Sequence, residues 1–149
     1  TEIYTLSLHD ALPISHTQVM ISSALSGGSL RQRLQEAQER FGRDRVALAL
    51  QRVAEDFFLP SPSGSGTPLS QDELHRRIHQ LSPSIFFSQE LCARYFTYRR
   101  GGQTHFVLFD DAGTLRRKIE MGQALGIREG FVMLPEVEDL TGFLFTGEG

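Results

Sequence analysis

Apolar residues along the chain gather in three short runs, Gln18–Ser22 (QVMIS), Val46–Leu50 (VALAL) and Gly130–Leu134 (GFVML), separated by stretches of helical periodicity. A continuous run such as Val46–Leu50 is the pattern of a strand covered on both faces in a parallel sheet. Between the first two runs, Leu30, Leu34, Ala37 and Phe41 recur at i, i+4, i+7 and i+11, one face of a helix. Ser29 stands as its N-cap with Gln32 in the capping-box position, and Gly42 as its stop. Before the third run, Leu115, Ile119 and Leu125 mark a second helix over Thr114–Leu125, with Thr114 as N-cap and Gly126 as stop. The resulting order is strand, helix, strand, excursion, helix, strand, which predicts two crossover units of a parallel α/β sheet.

The excursion has its own pattern. Pro60–Pro68 is a loop by composition, and Ser70 with Glu73 opens a short helix whose Leu74, Ile78 and Leu81 share one side. From Ser84 the period falls to two, so Ile85–Phe87, Ala93–Arg99 and Thr104–Phe109 read as strands, the last two joined at Gly101-Gly102. This predicts a small β-rich insertion over about residues 60–110.

Composition narrows the function classes. A 149-residue chain with 40% hydrophobic and 22% charged residues is long enough for one cored domain. The net charge of −3 gives no concentrated basic face, so nucleic acid is not expected as a partner. No apolar run approaches the ~20 residues needed to span a bilayer, so no membrane segment is expected. The single Cys92 excludes an internal disulfide, and its apolar neighbours suit a buried thiol.

Candidate chemistry is sparse. His75 and His79 are spaced i, i+4 on a helix, as metal ligands can be, but Arg76 and Arg77 lie between them and no third ligand has a motif, so a solvated face and no metal are expected. The glycines and serines of Pro60–Pro68 lack the Lys-Ser/Thr ending of a phosphate loop, and no cofactor is expected. Asp110-Asp111 at a helix start is explained by capping and the helix dipole. Tyr95, Phe96, Tyr98, Phe106 and Phe109 form either a carbohydrate-stacking platform or, more simply, the core of a β-meander. Glu136 and Glu138 could pair as general acid and base, or stand in a solvated loop beyond a strand end.

Two resemblances change the picture. Thr1–Ile14, TEIYTLSLHDALPI, resembles the conceptual translation of a DNA-sequencing adapter, which implies an assembled gene fragment joined near Ser15 and a foreign stretch outside the native fold. The run from Tyr95 to Leu134 resembles the C-terminal part of glycoside hydrolase family 18 barrels. The matching residues are Phe109-Asp110-Asp111, Leu115, Lys118, Leu125-Gly126 and Gly130-Phe131-Val132-Met133. The resemblance implies a fragment of a (β/α)8 TIM barrel, roughly its last three strands, with the β-rich insertion between the seventh strand and its helix.

It also implies a function. Barrel sites lie at the C-terminal ends of strands, so Ser22, Ser23, Gln51, Arg52, Glu136, Glu138 and Asp139 become candidate cleft-lining residues for an N-acetylglucosamine-containing glycan. The family's acidic catalytic motif belongs to the fourth strand, upstream of the first strand here, so no catalytic residue is assigned and the chain is expected to be inactive alone. At the sixth strand Met20-Ile21-Ser22-Ser23 replaces the family's Met-x-Tyr-Asp. Gln51-Arg52-Val53 replaces Pro-x-Tyr-Gly after the seventh, and Leu134-Pro135-Glu136 replaces its Trp after the eighth. Those differences favour a second reading, a non-catalytic relative that binds glycan or a protein partner. A third is a self-contained α/β domain.

Overall fold

The structure, a computed structural model, describes residues 3–7, 18–61 and 63–144. In chain order its main elements are β1 (Ile3–Ser7), β2 (Val19–Ser22), α1 (Leu30–Phe41), β3 (Val46–Leu50), β4 (Ala54–Leu59), β5 (Thr67–Pro68), α2 (Gln71–Leu81), β6 (Phe86–Ser88), β7 (Ala93–Arg100), β8 (Gln103–Phe109), α3 (Ala112–Ala124) and β9 (Glu129–Met133). Among the described residues the strands form two sheets, ordered β1-β9-β3-β2 and β5-β4-β8-β7-β6. The architecture is a mixed α/β domain. Among the described residues no helix is long and apolar enough to cross a membrane.

The three apolar runs lie side by side and parallel, as their spacing predicts. Val19 faces Val46 and Ser22 faces Ala49, while Leu48 faces Gly130 and Leu50 faces Val132. Both long connecting helices close one face of this sheet, burying Leu30, Leu34, Leu48, Leu50, Leu115 and Val132 in a common core. Strand alternation turns Met20, Ala49, Phe131 and Met133 to the other face, where Met20 is 52% exposed.

Helix ends follow local chemistry, with three corrections to the sequence reading. Ser29 caps α1 by accepting from the Gln32 amide at 3.3 Å, but Gln32's side chain donates to Glu36 instead of returning to the cap, so only half of a capping box forms. Thr114 is not the N-cap of α3. Asp111 holds that place, accepting from the Thr114 amide at 2.8 Å, while Thr114 Oγ1 accepts from the Asp111 amide at 3.0 Å. A carboxylate outcompetes a hydroxyl for orphan amides at the positive end of the helix. Phe41, placed on the buried stripe of α1 by periodicity, is 39% exposed with the Arg40 guanidinium over its ring.

The second sheet is antiparallel throughout. Gly101 and Gly102 take φ of 58° and 76°, the positive pair a two-residue hairpin turn needs. The sheet begins at Ala54, earlier than the expected start near residue 60, because AEDFFL is a strand despite its two acids. Asp56 is buried there among polar partners from other elements, which period alone cannot reveal.

β1 also departs from expectation. The stretch expected to stand outside the fold supplies Ile3–Ser7, paired antiparallel with Glu129–Met133. The outer edge of β9 presents a row of unpaired N–H and C=O groups, and an extended segment can satisfy them. The junction placed at Ser15 lies outside the described residues.

Candidate functional site

The C-terminal ends of the parallel strands bring most of the candidate residues into one hydrogen-bonded group. β2 ends in Ser22, whose hydroxyl donates to the Gln51 side chain, and Ser23 is fully buried beside it. Ser23 Oγ accepts from the Gln51 amide at 2.9 Å, lies 3.3 Å from the Gln51 carbonyl, and so ties the exit of β2 to the exit of β3. Arg52 joins the third strand end: its Nη1 donates to Asp139 Oδ1 at 2.6 Å and to the Glu136 carbonyl at 3.3 Å. Its amide also reaches Glu136 Oε2 at 3.5 Å. The Arg52 side chain is only 6% exposed whereas Asp139 is 56% exposed, and Arg52 Nε is buried without a hydrogen-bond partner among the described residues.

Glu138 stands differently. It is exposed, and its backbone carbonyl accepts from Thr141 Oγ1 at 3.0 Å. Glu136 is exposed as well. The group presents hydroxyl, amide, guanidinium and carboxylate donors and acceptors together at the strand ends. Among the described residues no three His, Cys, Asp or Glu side chains gather as a metal site.

An aromatic ladder continues from this group. On the face of the second sheet turned toward the β2–α1 loop, Phe86 stacks on Tyr95 with centroids 5.6 Å apart, and Tyr95 stacks on Phe106 at 5.2 Å. Phe57 follows at 6.3 Å, tilted by 55°. Phe57 is buried, Tyr95 and Phe106 are half-buried, and Phe86 is 53% exposed, so the ladder rises from core to solvent across four strands. Ala24, two residues beyond Ser22, packs against the Val53, Phe57 and Leu108 cluster at its base. Ala24 thus links the exit of β2 to the base of the ladder.

The sequence had grouped five aromatics, and the sheet separates them. Phe96 and Phe109 pack against α2 in a core with Leu74 and Val107, and only Tyr95 and Phe106 belong to the ladder. Phe57 and Phe86, outside that group, complete it.

Two polar clusters were not legible as such. Asp110, expected to serve only the helix dipole, is 1% exposed and paired at 2.8 Å with Lys118, itself fully buried. Its carboxylate also accepts from Thr114 Oγ1 at 2.7 Å and the Val53 amide at 2.9 Å, while the Asp110 amide donates to the Val53 carbonyl at 2.8 Å. The chain enters the second sheet at Val53 and leaves at Asp110, so this cluster fixes the ladder to the parallel sheet. Burial of Cys92 next to it pushes that thiol up from its ordinary value. On the opposite face of the second sheet from the ladder, the Asp56 carboxylate receives Arg77, Tyr98 and His105, the last at 2.9 Å. Burial, and then the hydrogen bond to Asp56, hold the Tyr98 phenol above its ordinary value.

No family model and no curated protein matches the chain. Solved structures do. The spore cortex-lytic enzyme SleL from Bacillus cereus superposes with a TM-score of 0.60 at 19% identity, over 78% of this chain and 29% of that one. SleL from Bacillus megaterium gives 0.59 at 20%, over 76% and 29%. A Bacillus subtilis protein described as a sporulation-specific glycosylase, YdhD, gives 0.56 at 17%, over 69% and 35%. The chain spans about a third of the length of each of these structures, and its fold is that of a part of each of them.

Proposed function

We propose that the chain is one wall of a larger glycoside hydrolase family 18-like barrel, and that it binds an N-acetylglucosamine-containing glycan along the aromatic ladder and the strand ends beside it. The observation that carries this reading is that the two features adjoin, Ala24 beyond the end of β2 packing against the base of the ladder. The exposed Phe86 and the partly buried Tyr95 and Phe106 offer apolar surface to sugar rings, while Ser22, Gln51, Arg52, Glu136 and Asp139 offer donors and acceptors at the end of the row. Barrel geometry supports the placement, because such sites lie at the C-terminal ends of parallel strands. So does the one-sided helix layer, which leaves Met20 and its neighbours on the face where the rest of a barrel's side chains would pack.

The route of hydrolysis in that family is substrate-assisted and needs an acid from a strand upstream of this chain. Binding energy from one wall cannot replace a group that acts on the transition state. The chain is therefore proposed to bind and not to cleave. Exposed Glu136 and Glu138, together with Ser22 and Ser23 where the family carries Tyr and Asp, favour a binding role for the intact protein too.

Retention on insoluble chitin, with a fluorogenic chitobioside assayed in parallel, tests both halves. Retention that Tyr95→Ala reduces, without turnover, is expected. Retention unchanged in Tyr95→Ala removes the ladder from the reading. Turnover abolished by Glu136→Gln would overturn the binding-only assignment.

A further inference from the structure

We infer that Asp56 and His105 are positioning residues for the aromatic ladder: the clamp they form with Tyr98 and Arg77 on one face of the second sheet fixes how Phe57 and Phe106 are presented on the other.

The argument begins with register. Phe57 faces Phe106 across β4 and β8, Phe58 faces His105, and His105 faces Tyr98 across β8 and β7. Successive residues of a strand point to opposite faces, so Asp56 stands back to back with Phe57, and His105 with Phe106. Asp56 and His105 are each the covalent neighbour of a ladder ring.

β4 needs such a restraint. On one side it pairs with β8 along its length, but on the other, among the described residues, it pairs with only the two residues of β5, at Glu55 and Asp56. From Phe57 onward it is an edge strand leading into the loop at Pro60, and Phe58 and Leu59 are exposed at 47% and 46%. Backbone pairing alone leaves the twist of an edge strand weakly determined.

The clamp supplies what pairing does not. The Asp56 side chain is 7% exposed and receives donors from three other elements: His105 on β8, Tyr98 on β7 and Arg77 on α2. Arg77 Nη1 also donates to Tyr98 Oη at 3.1 Å, and the Tyr98 and His105 rings stack with centroids 4.7 Å apart at 16°. A carboxylate with this little solvent keeps its place because every partner is needed to offset its burial. A network of that kind has one geometry, and β4 takes its orientation from it.

The inference rests on the glycan-stacking reading for its functional meaning, and the test keeps the two apart. Aromatic NMR spectra are compared for the full chain and for Asp56→Asn, His105→Phe and His105→Asn. His105→Phe keeps a ring to stack on Tyr98 but deletes the donor, whereas His105→Asn places an amide nitrogen near the position of Nδ1. We expect the Phe57 and Phe106 ring resonances to move in Asp56→Asn and His105→Phe, those of Phe96 and Phe109 in the α2 core to stay, and His105→Asn to restore the native pattern. Affinity for chitotetraose should fall with the shifts by up to about tenfold, the worth of one stacking contact. Unmoved Phe57 and Phe106 resonances in His105→Phe would overturn the inference, whether or not Asp56→Asn folds. Moved resonances with no glycan binding even by the unaltered chain would retain the positioning role and remove the stacking function.

Discussion

Lys118→Met isolates the joint between the two sheets. In the native chain the Lys118 ammonium and the Asp110 carboxylate are 2.8 Å apart with no solvent exposure on either side chain. Methionine keeps most of the stem's volume, so the substitution removes charge more than packing. Asp110 would keep its hydrogen bonds from Val53 and Thr114 but lose its counter-charge inside the protein. Removing one partner of a buried pair costs about 3–5 kcal/mol, a large share of the roughly 5–15 kcal/mol that holds a domain together. With a urea m value of about 2 kcal/mol/M, the unfolding midpoint should fall by about 2 M. Asp110→Asn added to Lys118→Met removes the stranded charge while leaving an acceptor for the Val53 amide, so the double variant should be more stable than Lys118→Met alone. Urea titration of the full cycle decides it. A loss below about 1 kcal/mol for Lys118→Met, the range of an exposed pair, or additive single effects, would refute the account of this joint.

Further outcomes follow from the same geometry. Asp111→Ala should destabilise α3 by about 1 kcal/mol, the usual worth of an N-cap, as read by thermal unfolding. Cys92, 3% exposed and with its thiol pushed up by burial, should react with a disulfide reagent only at the rate of opening of the fold, and at once in denaturant. Fast labelling of the native chain would contradict this. Because the folded state holds the Tyr98 phenol above its ordinary value of 10.0, the folded state binds more protons than the unfolded chain above that pH. The stabilising contribution is complete below it and is lost as pH rises through the folded value. Ultraviolet titration should show the Tyr98 transition move down in Asp56→Asn.

How much could be read from the chain depended on whether a residue's partners were local. The parallel order of β2, β3 and β9 was legible because continuous apolar runs at crossover spacing leave few alternatives. The capping box at Ser70 and Glu73 was legible for the same reason, both partners lying within one turn. Asp56 was not, since its partners Arg77, Tyr98 and His105 lie 21 to 49 residues away and two acids in AEDFFL look solvated. Asp110 was misread in the same way: adjacent acids before a helix have a sufficient local explanation, yet only Asp111 uses it. Of the candidate cleft residues, Ser22, Ser23, Gln51, Arg52, Glu136 and Asp139 are joined by hydrogen bonds because a parallel sheet delivers its strand ends to one side. Glu138, placed by proximity in sequence, points its carboxylate to no described member of that group. The ladder was half visible, because strand period could group Tyr95 with Phe106 but could not add Phe57 from a strand that period missed.

The central claim is that glycan lies along the ladder and the strand ends. An NMR titration of the chain with chitotetraose tests it most directly. The account predicts saturable shifts, at about millimolar affinity or tighter, in the rings of Phe86, Tyr95 and Phe106 and in the amides of Ser22, Gln51 and Arg52, with α1 and the Phe96 core unaffected. Shifts confined to other surfaces, or an unchanged spectrum at saturating oligosaccharide, would contradict it.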